Sequence, residues 1–346
     1  MTSRDPLETT GRGGDGSPIV IIGFPAVGDF VRCHSLVRVL AVAHPSRPID
    51  IVTRNPTVEL VPFMPEVREG IAENFRHRRL DLPGRFELAR TLRQRGYGTA
   101  YVIPGGYKAS LVPFFAQVPE RIGWVTEGQW PPINRPRFGM HKIARMVDRL
   151  GLLGLDKHDT SVATWPVPRL RVPASLRERF DALVREARSG GPVVTLGPGS
   201  ADLKNKTWAV EHFAKVARRC VERGCAVWIV GSRAEGALAA AIAQHVPVQD
   251  RTMDSVTNLA LTIAASDLFV GNDSGPLHVA AAFDKPCVAV FGLTDPDMVA
   301  PINPAVQIPL PDRAIVRRSR DEVRWPAPEQ VVACVERDLD RLPARS

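Results

Sequence analysis

The chain has 346 residues, 44% of them apolar, and 45 Lys and Arg against 37 Asp and Glu for a formal net charge of +8. That length exceeds one ordinary domain and predicts two, each large enough to bury its own core. No stretch reaches the roughly 18–20 apolar residues of a membrane-spanning helix, and the polar start, Met1 to Ser17, lacks the apolar centre of a signal peptide. The expectation is a cytoplasmic protein with a disordered tail over 1–17. A basic surface favours acidic partners, but aromatic residues are few and do not alternate with basic ones, which counts against nucleic acid.

In chain order, Ile19-Val20-Ile21-Ile22 predicts a strand. A Gly- and Pro-rich loop over 23–28 follows, then a helix in which Phe30, Cys33, Val37 and Leu40 recur at helical spacing. Ile49 to Val52 predicts a second strand, Phe86 to Arg95 a helix stopped by Gly96, and Ala100 to Ile103 another strand. Pro166, Pro168 and Pro173 mark a linker, and Ala174 to Arg188 a helix. The pattern then repeats. Val193 to Leu196 is a strand, Gly197-Pro198-Gly199-Ser200 a loop, and Val210 to Arg223 a helix closed by Gly224. Ala226 to Val230, Asp267 to Val270 and Cys287 to Phe291 read as strands, with helices over Ser255 to Ala265 and Pro276 to Phe283 between them. Strands alternating with helices predict parallel sheets covered on both faces, with ligands at the carboxyl ends of the strands.

Three segments carry candidate chemistry. Asn272-Asp273-Ser274-Gly275-Pro276-Leu277-His278 joins a strand to a small-residue helix. Free N–H groups and the helix dipole at such a start suit a phosphate, although an isolated Asp-Ser-Gly is more often a plain helix cap. In the second, Gly197 to Trp208, Lys206 stands just before a helix start, where it can neutralise a diphosphate. The spacing does not fit a Walker A loop, which excludes that class of nucleotide hydrolase. Glu235, shortly after a strand end, can accept from ribose hydroxyls or serve as an ordinary first-turn glutamate. In the third, Asp29 follows the first strand and is either a general base for an attacking hydroxyl or a helix cap. The five cysteines are scattered and no histidine cluster accompanies them, so free thiols and no metal site are expected.

Taken together, these segments resemble the bacterial lipopolysaccharide heptosyltransferases, glycosyltransferase family nine. The likeness rests on Asn272 to Ala282 continuing through Pro286 to Gly292, on Val27-Gly28-Asp29 with His44-Pro45 and Ile49-Asp50, and on Gly197-Pro198-Gly199 with Lys206 and Trp208. Tyr101 to Pro104, Lys108 to Ala116 and Pro119 to Trp124 resemble the branch that adds the second core heptose, and the likeness runs from about residue 19 to 295. Ser200-Ala201-Asp202 and Thr207 depart from the family pattern, and the tail before Ser17 has no counterpart in it.

The resemblance implies an α/β GT-B fold, two Rossmann-like doubly wound domains facing a cleft. The expected boundaries are 18–168 for an acceptor-binding domain, 169–191 for linker and helix, and 192–325 for a nucleotide-sugar-binding domain. A C-terminal helix in 326–346 would pack back on the first domain. The donor would be ADP-heptose, with no metal or other cofactor. Ser200, Lys206, Asp273, Ser274, Gly275, Leu277 and His278 would hold the diphosphate and sugar, Glu235 the ribose, and Asp29 would be the base of an inverting transfer. The acceptor would be an acidic, lipid-linked oligosaccharide met by Lys108 and Arg121, with Arg78 and Arg79 as further candidates, at an anionic inner-membrane face touched peripherally. Competing readings are transfer of another nucleotide-sugar, an epimerase of the same architecture and an inactive nucleotide-sugar-binding protein. A dehydrogenase is disfavoured because Gly23 to Gly28 lacks the G-x-G-x-x-G spacing.

Overall fold

The computed structural model describes residues 16–75, 80–125, 130–155, 165–200, 207–309 and 325–342. Most of the expected tail, Arg78, Arg79 and Lys206 lie outside them. The chain divides into two compact units between Pro168 and Arg169, inside the proline-rich stretch.

The first unit runs β1 (Ile19–Ile22), α1 (Val27–Ala43), β2 (Ile49–Arg54), β3 (Glu69–Glu73), α2 (Leu82–Gln94), β4 (Thr99–Val102), α3 (Tyr107–Phe115), β5 (Glu120–Trp124), β6 (Arg135–Arg137) and α4 (Met146–Leu153). Its six strands form one parallel sheet in the order β3-β2-β1-β4-β5-β6. All four residues of β1 are buried, as an apolar run covered on both faces requires. Helix α1 is buried on several sides and carries polar anchors within that buried surface. His34 Nε2 lies 2.8 Å from Glu66, Ser35 donates to the Pro166 carbonyl at 2.8 Å, and Arg38 donates to that of Val167 at 2.6 Å. These bonds tie the start of the linker to the first unit.

The second unit begins with α5 (Arg177–Arg188), β7 (Val193–Gly197), α6 (Val210–Glu222), β8 (Ala226–Gly231) and α7 (Gly236–Ala243). It continues through β9 (Gln249–Thr252), α8 (Val256–Ala265), β10 (Leu268–Asn272), α9 (Gly275–Ala282), β11 (Cys287–Val290), α10 (Pro296–Val299), β12 (Val306–Gln307) and α11 (Pro328–Leu339). The sheet is again parallel, ordered β12-β11-β10-β7-β8-β9. Counted from its own first strand, this is the same doubly wound order as in the first unit. Leu170 N–H donates to the Ala282 carbonyl at 2.7 Å, so the chain beyond Pro168 is bonded to the second unit.

Two expectations change. Helix α5 is part of the second unit's body: Ala187, with Phe180, Leu183 and Val184, packs around Trp228 and Ala265. The C-terminal helix α11 is built into the second unit. Its apolar face, Val331, Cys334, Val335 and Leu339, joins Phe213, Val216, Val270 and Val288 in the second core, so burial of that face is already complete there. No helix among the described residues is long and apolar enough to cross a membrane.

Candidate active site

In a doubly wound sheet the chain leaves its first strand in one direction and later returns to that strand's other side. The loops after the two adjacent strands therefore part and leave a crevice at their carboxyl ends. In the second unit those strands are β7 and β10. The loop after β7 is Gly197-Pro198-Gly199-Ser200, and the turn after β10 is Asp273-Ser274-Gly275. The flanking strands β8 and β11 end at Gly231 and Val290, so Glu235 and Thr294 follow on the same edge. Every described donor-side residue expected from the sequence thus falls on one edge of one sheet.

Hydrogen bonds fix these loops to one another. Asn272, fully buried, donates through Nδ2 to the Pro198 carbonyl at 2.7 Å and accepts from the Trp208 N–H at 3.2 Å. It therefore joins the β7 loop, the end of β10 and the lead into α6. Trp208 is held further by a bond from Nε1 to the Pro326 carbonyl (3.2 Å) and by edge contact with Phe213. Glu235 lies against the β7 loop so closely that a Cβ on Gly199 would overlap its carboxylate and force that side chain aside. One Glu235 oxygen, Oε2, accepts from the Ser232 N–H at 2.5 Å and from its hydroxyl at 3.0 Å in a capping box.

The β10–α9 turn is not an ordinary helix cap. The cap residue is Ser274, one position beyond Asp273, and its side chain makes no capping hydrogen bond. The Ser274 hydroxyl oxygen is buried and has no partner among the described residues. Asp273 instead accepts from the Thr294 hydroxyl at 2.7 Å through Oδ2, and its Oδ1 lies 3.6 Å from Nε2 of the buried His278. The first turn of α9 therefore keeps its positive dipole end and, beside it, a buried hydroxyl with no partner among the described residues, while a carboxylate stands next to them, held from two directions. Leu277 is fully buried in the core, so only its backbone N–H is available to a ligand. Ser200 is buried at the end of the β7 loop.

In the first unit the corresponding strands are β1 and β4. Asp29 stands in the first turn of α1 after β1, three residues beyond the cap residue Ala26, which rules out the helix-cap alternative for it. Its carboxylate pairs with Arg32 one turn along, and Arg32 in turn approaches the Met146 sulfur at 3.8 Å. Lys108 lies exposed in the first turn of α3, after β4, and so flanks the same switch point. Arg121 does not. Register places it opposite Ala100 of β4, and Ala100 opposite Val20 of β1, near the starts of the strands and the far edge from Asp29. Its Nε donates to the Pro132 carbonyl and Nη1 to that of Val118, both at 2.6 Å, so the guanidinium is held by the fold away from the switch point.

Asn272, Thr294 and Arg32 were not among the residues singled out from the sequence. Arg32 has a local signal, an opposite charge three positions along a helix. Asn272 lies inside the recognised string, but its two partners lie 64 and 74 residues away. Thr294 has no local signal at all. Among the described residues no group of three His, Cys, Asp or Glu side chains is placed to hold a metal. All five cysteines are buried and free, and burial pushes the Cys33 and Cys220 thiols up to about 12.

Two doubly wound parallel domains with this crowded carboxyl edge define a GT-B-type α/β protein. Residues 85–320 match glycosyltransferase family 9 (heptosyltransferase), and the chain belongs to that family. It is 33% identical over 298 residues to lipopolysaccharide heptosyltransferase 2 of Salmonella typhimurium, covering 82% of this chain and 85% of that protein. It is 31% identical to lipooligosaccharide heptosyltransferase 2 of Haemophilus influenzae, covering 82% and 86%. Among solved structures, ADP-heptose LPS heptosyltransferase II of E. coli aligns with a TM-score of 0.81 at 26% identity, covering 94% of this chain and 99% of that one. The chain is therefore a glycosyltransferase.

Proposed function

We propose that the chain transfers heptose from ADP-heptose to a hydroxyl of the lipopolysaccharide inner core, with inversion and without a metal. The observation that carries this reading is the β10–α9 turn. There the helix start, a Ser274 hydroxyl without a partner among the described residues, and the clamped Asp273 stand together beside the β7 loop. The diphosphate sits on the N–H groups of Gly275 and Leu277 and on the Ser274 hydroxyl, and Lys206 supplies the positive charge that a metal provides elsewhere. His278 and Ser200 line the sugar and phosphate side. Glu235 receives a ribose hydroxyl on Oε1, since its Oε2 is already engaged by Ser232.

Asp29 takes the proton of the acceptor hydroxyl. The acceptor oxygen forms its bond to the anomeric carbon from the face opposite the leaving group. The bond from that carbon to the diphosphate oxygen breaks, and ADP departs with the electron pair. Arg32 holds the carboxylate in place. Lys108 meets a phosphate of the acidic, lipid-linked acceptor. Arg121 takes no part in this scheme because of its place at the opposite sheet edge. The reaction runs at the cytoplasmic face of the inner membrane.

Calorimetric titration of the protein with ADP, ADP-heptose, UDP and GDP-sugars in the presence of EDTA tests the donor half. Binding confined to the adenine compounds is the expected result. Preference for another nucleotide, or binding abolished by the chelator, overturns the donor or the metal-free mechanism respectively.

A further inference from the structure

The outer surface of α2 and α3 in the first unit is not an ordinary solvated face. Phe86 is 52% exposed and Phe114 37%, and Leu82, one turn before Phe86, is exposed as well. Phe86 stacks on Phe115 with ring centroids 4.2 Å apart. Between the two helices lies an open groove of about 660 Å³ lined by these aromatics and by Arg90, Arg93 and Arg121, with no acidic residue in its lining. Two of the arginines are built into the walls: Arg93 donates to the Phe115 carbonyl at 2.5 Å, and Arg121 lies 5.5 Å over the Phe114 ring. Arg90 projects from the exposed side of α2. Glu87 is exposed one position beyond Phe86 but does not line the groove.

Exposed phenylalanines set among cations, with no anion in the groove, match the chemistry of an anionic bilayer surface. Aromatic rings settle at the boundary of headgroup and acyl chain, the wall arginines add positive charge there, and the exposed Arg90 guanidinium can meet a lipid phosphate through paired hydrogen bonds. The lining offers no carboxylate, so the groove presents cationic groups, aromatic rings and a single neutral amide, Gln117, and its charge is complementary to an anionic surface. We propose that the α2–α3 face is the surface by which this protein docks on anionic phospholipid. The assignment rests on the reading above that the acceptor is lipid-linked, but its test uses neither donor nor acceptor.

The test is flotation of the purified full chain with vesicles of phosphatidylcholine alone or with about one-third phosphatidylglycerol, at roughly 0.05 M salt. The expected result is flotation with the anionic vesicles only. Arg90→Glu should lower the bound fraction by about fivefold or more, the usual scale for one basic residue at such a surface. Phe86→Ser should lower it by about tenfold through lost apolar insertion. Phe86 also supports Phe115, so melting curves accompany that variant; Arg90→Glu leaves the ring stack intact and keeps the test decisive if Phe86→Ser unfolds. Equal flotation of wild type and Arg90→Glu, or flotation on neutral vesicles alone, overturns the proposal. So does release of the protein by millimolar inorganic phosphate, which would make the groove an ion site. A change of sedimentation coefficient in Phe86→Ser without loss of flotation would assign the face to a second copy of the chain. Variants that lose flotation but still transfer sugar to a water-soluble acceptor separate this surface from the catalytic reading.

Discussion

The two units share one strand order, yet their carboxyl edges are built differently. In the second unit polar groups follow the ends of β7, β8, β10 and β11; hydrogen bonds tie Asn272 to Pro198 and Trp208 and Asp273 to Thr294, and Glu235 lies against Gly199. In the first unit the corresponding edge is tied as well, by Thr53 and Thr57 to the carbonyls of Phe24 and Pro25 and by Arg54 to Glu73, but Asp29, the carboxylate after β1, pairs along its own helix with Arg32, and Lys108 stands exposed at the start of α3. A ligand of fixed shape, such as a nucleotide diphosphate, gains from donors that are held in place before it arrives. A base that must reach a hydroxyl on a large, variable acceptor gains from standing apart from such cross-ties, as Asp29 does by pairing within its own helix. On the proposed reading, the second edge is therefore the binding edge and the first the reacting edge.

That division is most sharply tested at Asp29. Asp29→Asn keeps the size and the first-turn position but removes the proton acceptor. The expected outcome is a fall in turnover of about 100-fold or more, equal to about 2.7 kcal/mol of barrier, with donor affinity nearly unchanged. Steady-state kinetics and calorimetry on the same preparation check it. If donor binding collapses with turnover, the carboxylate supports the fold instead.

The opposite split is expected at Thr294. Thr294→Val removes the hydroxyl that holds Asp273, a hydrogen bond to a charged group. Donor KM should rise about tenfold with a smaller change in kcat, and Thr294→Ser should restore the wild-type value because the hydroxyl returns. Equal behaviour of Val and Ser would show that Asp273 needs no such partner. If Thr294→Val instead lowered kcat alone, the contrast between the two edges would be lost.

How much of this was readable from the sequence depended on where each element lies in its sheet. The central strands β1, β7 and β10 are buried along their length and stand out as apolar runs. Among the outermost strands β3 has one buried residue and β6, β9 and β12 have none, so none shows an apolar signal. Helix α3 was hidden by Pro113 within it, and α2 begins four residues earlier than its apolar spacing suggests because Pro83 stands in its first turn. The site shows the same split. Residues within the 272–278 string could be found together because one turn holds them, and Asp29 because it follows the first strand. The position of Arg121 near the start of β5 was not legible, because a basic residue in a matching segment says nothing about which end of the strand it occupies. Only register decides that.

The smallest expected effects are in acid stability, and here too the two units differ. In the first, burial alone would raise the pKa of Glu66, but the His34 hydrogen bond and charge, with Arg38, outweigh it and leave it below the ordinary 4.5. A carboxylate lowered on folding contributes stability that is present above its unfolded value and lost as pH falls through the folded one. In the second unit Asp338 on α11 is shifted the other way. Burial raises it above 3.8 against the opposing pull of Gln307, Arg341 and Arg337, and its Oδ2 is buried without a partner among the described residues. Ionisation of Asp338 therefore works against folding at neutral pH, and that cost is relieved as pH falls through its raised value. Glu66→Gln should lower the melting temperature at pH 7 and flatten the first unit's loss of stability below about pH 4.5. Asp338→Asn should raise the melting temperature at pH 7 by about 1–3 °C and leave no gain on acidification from that site. Calorimetric melts from pH 7 to about pH 4, with hydrogen exchange resolved by unit, measure both. A lower melting temperature for Asp338→Asn at pH 7 would mean that the pull of Arg337 and Arg341 outweighs burial, and the two units would then respond to acid with the same sign.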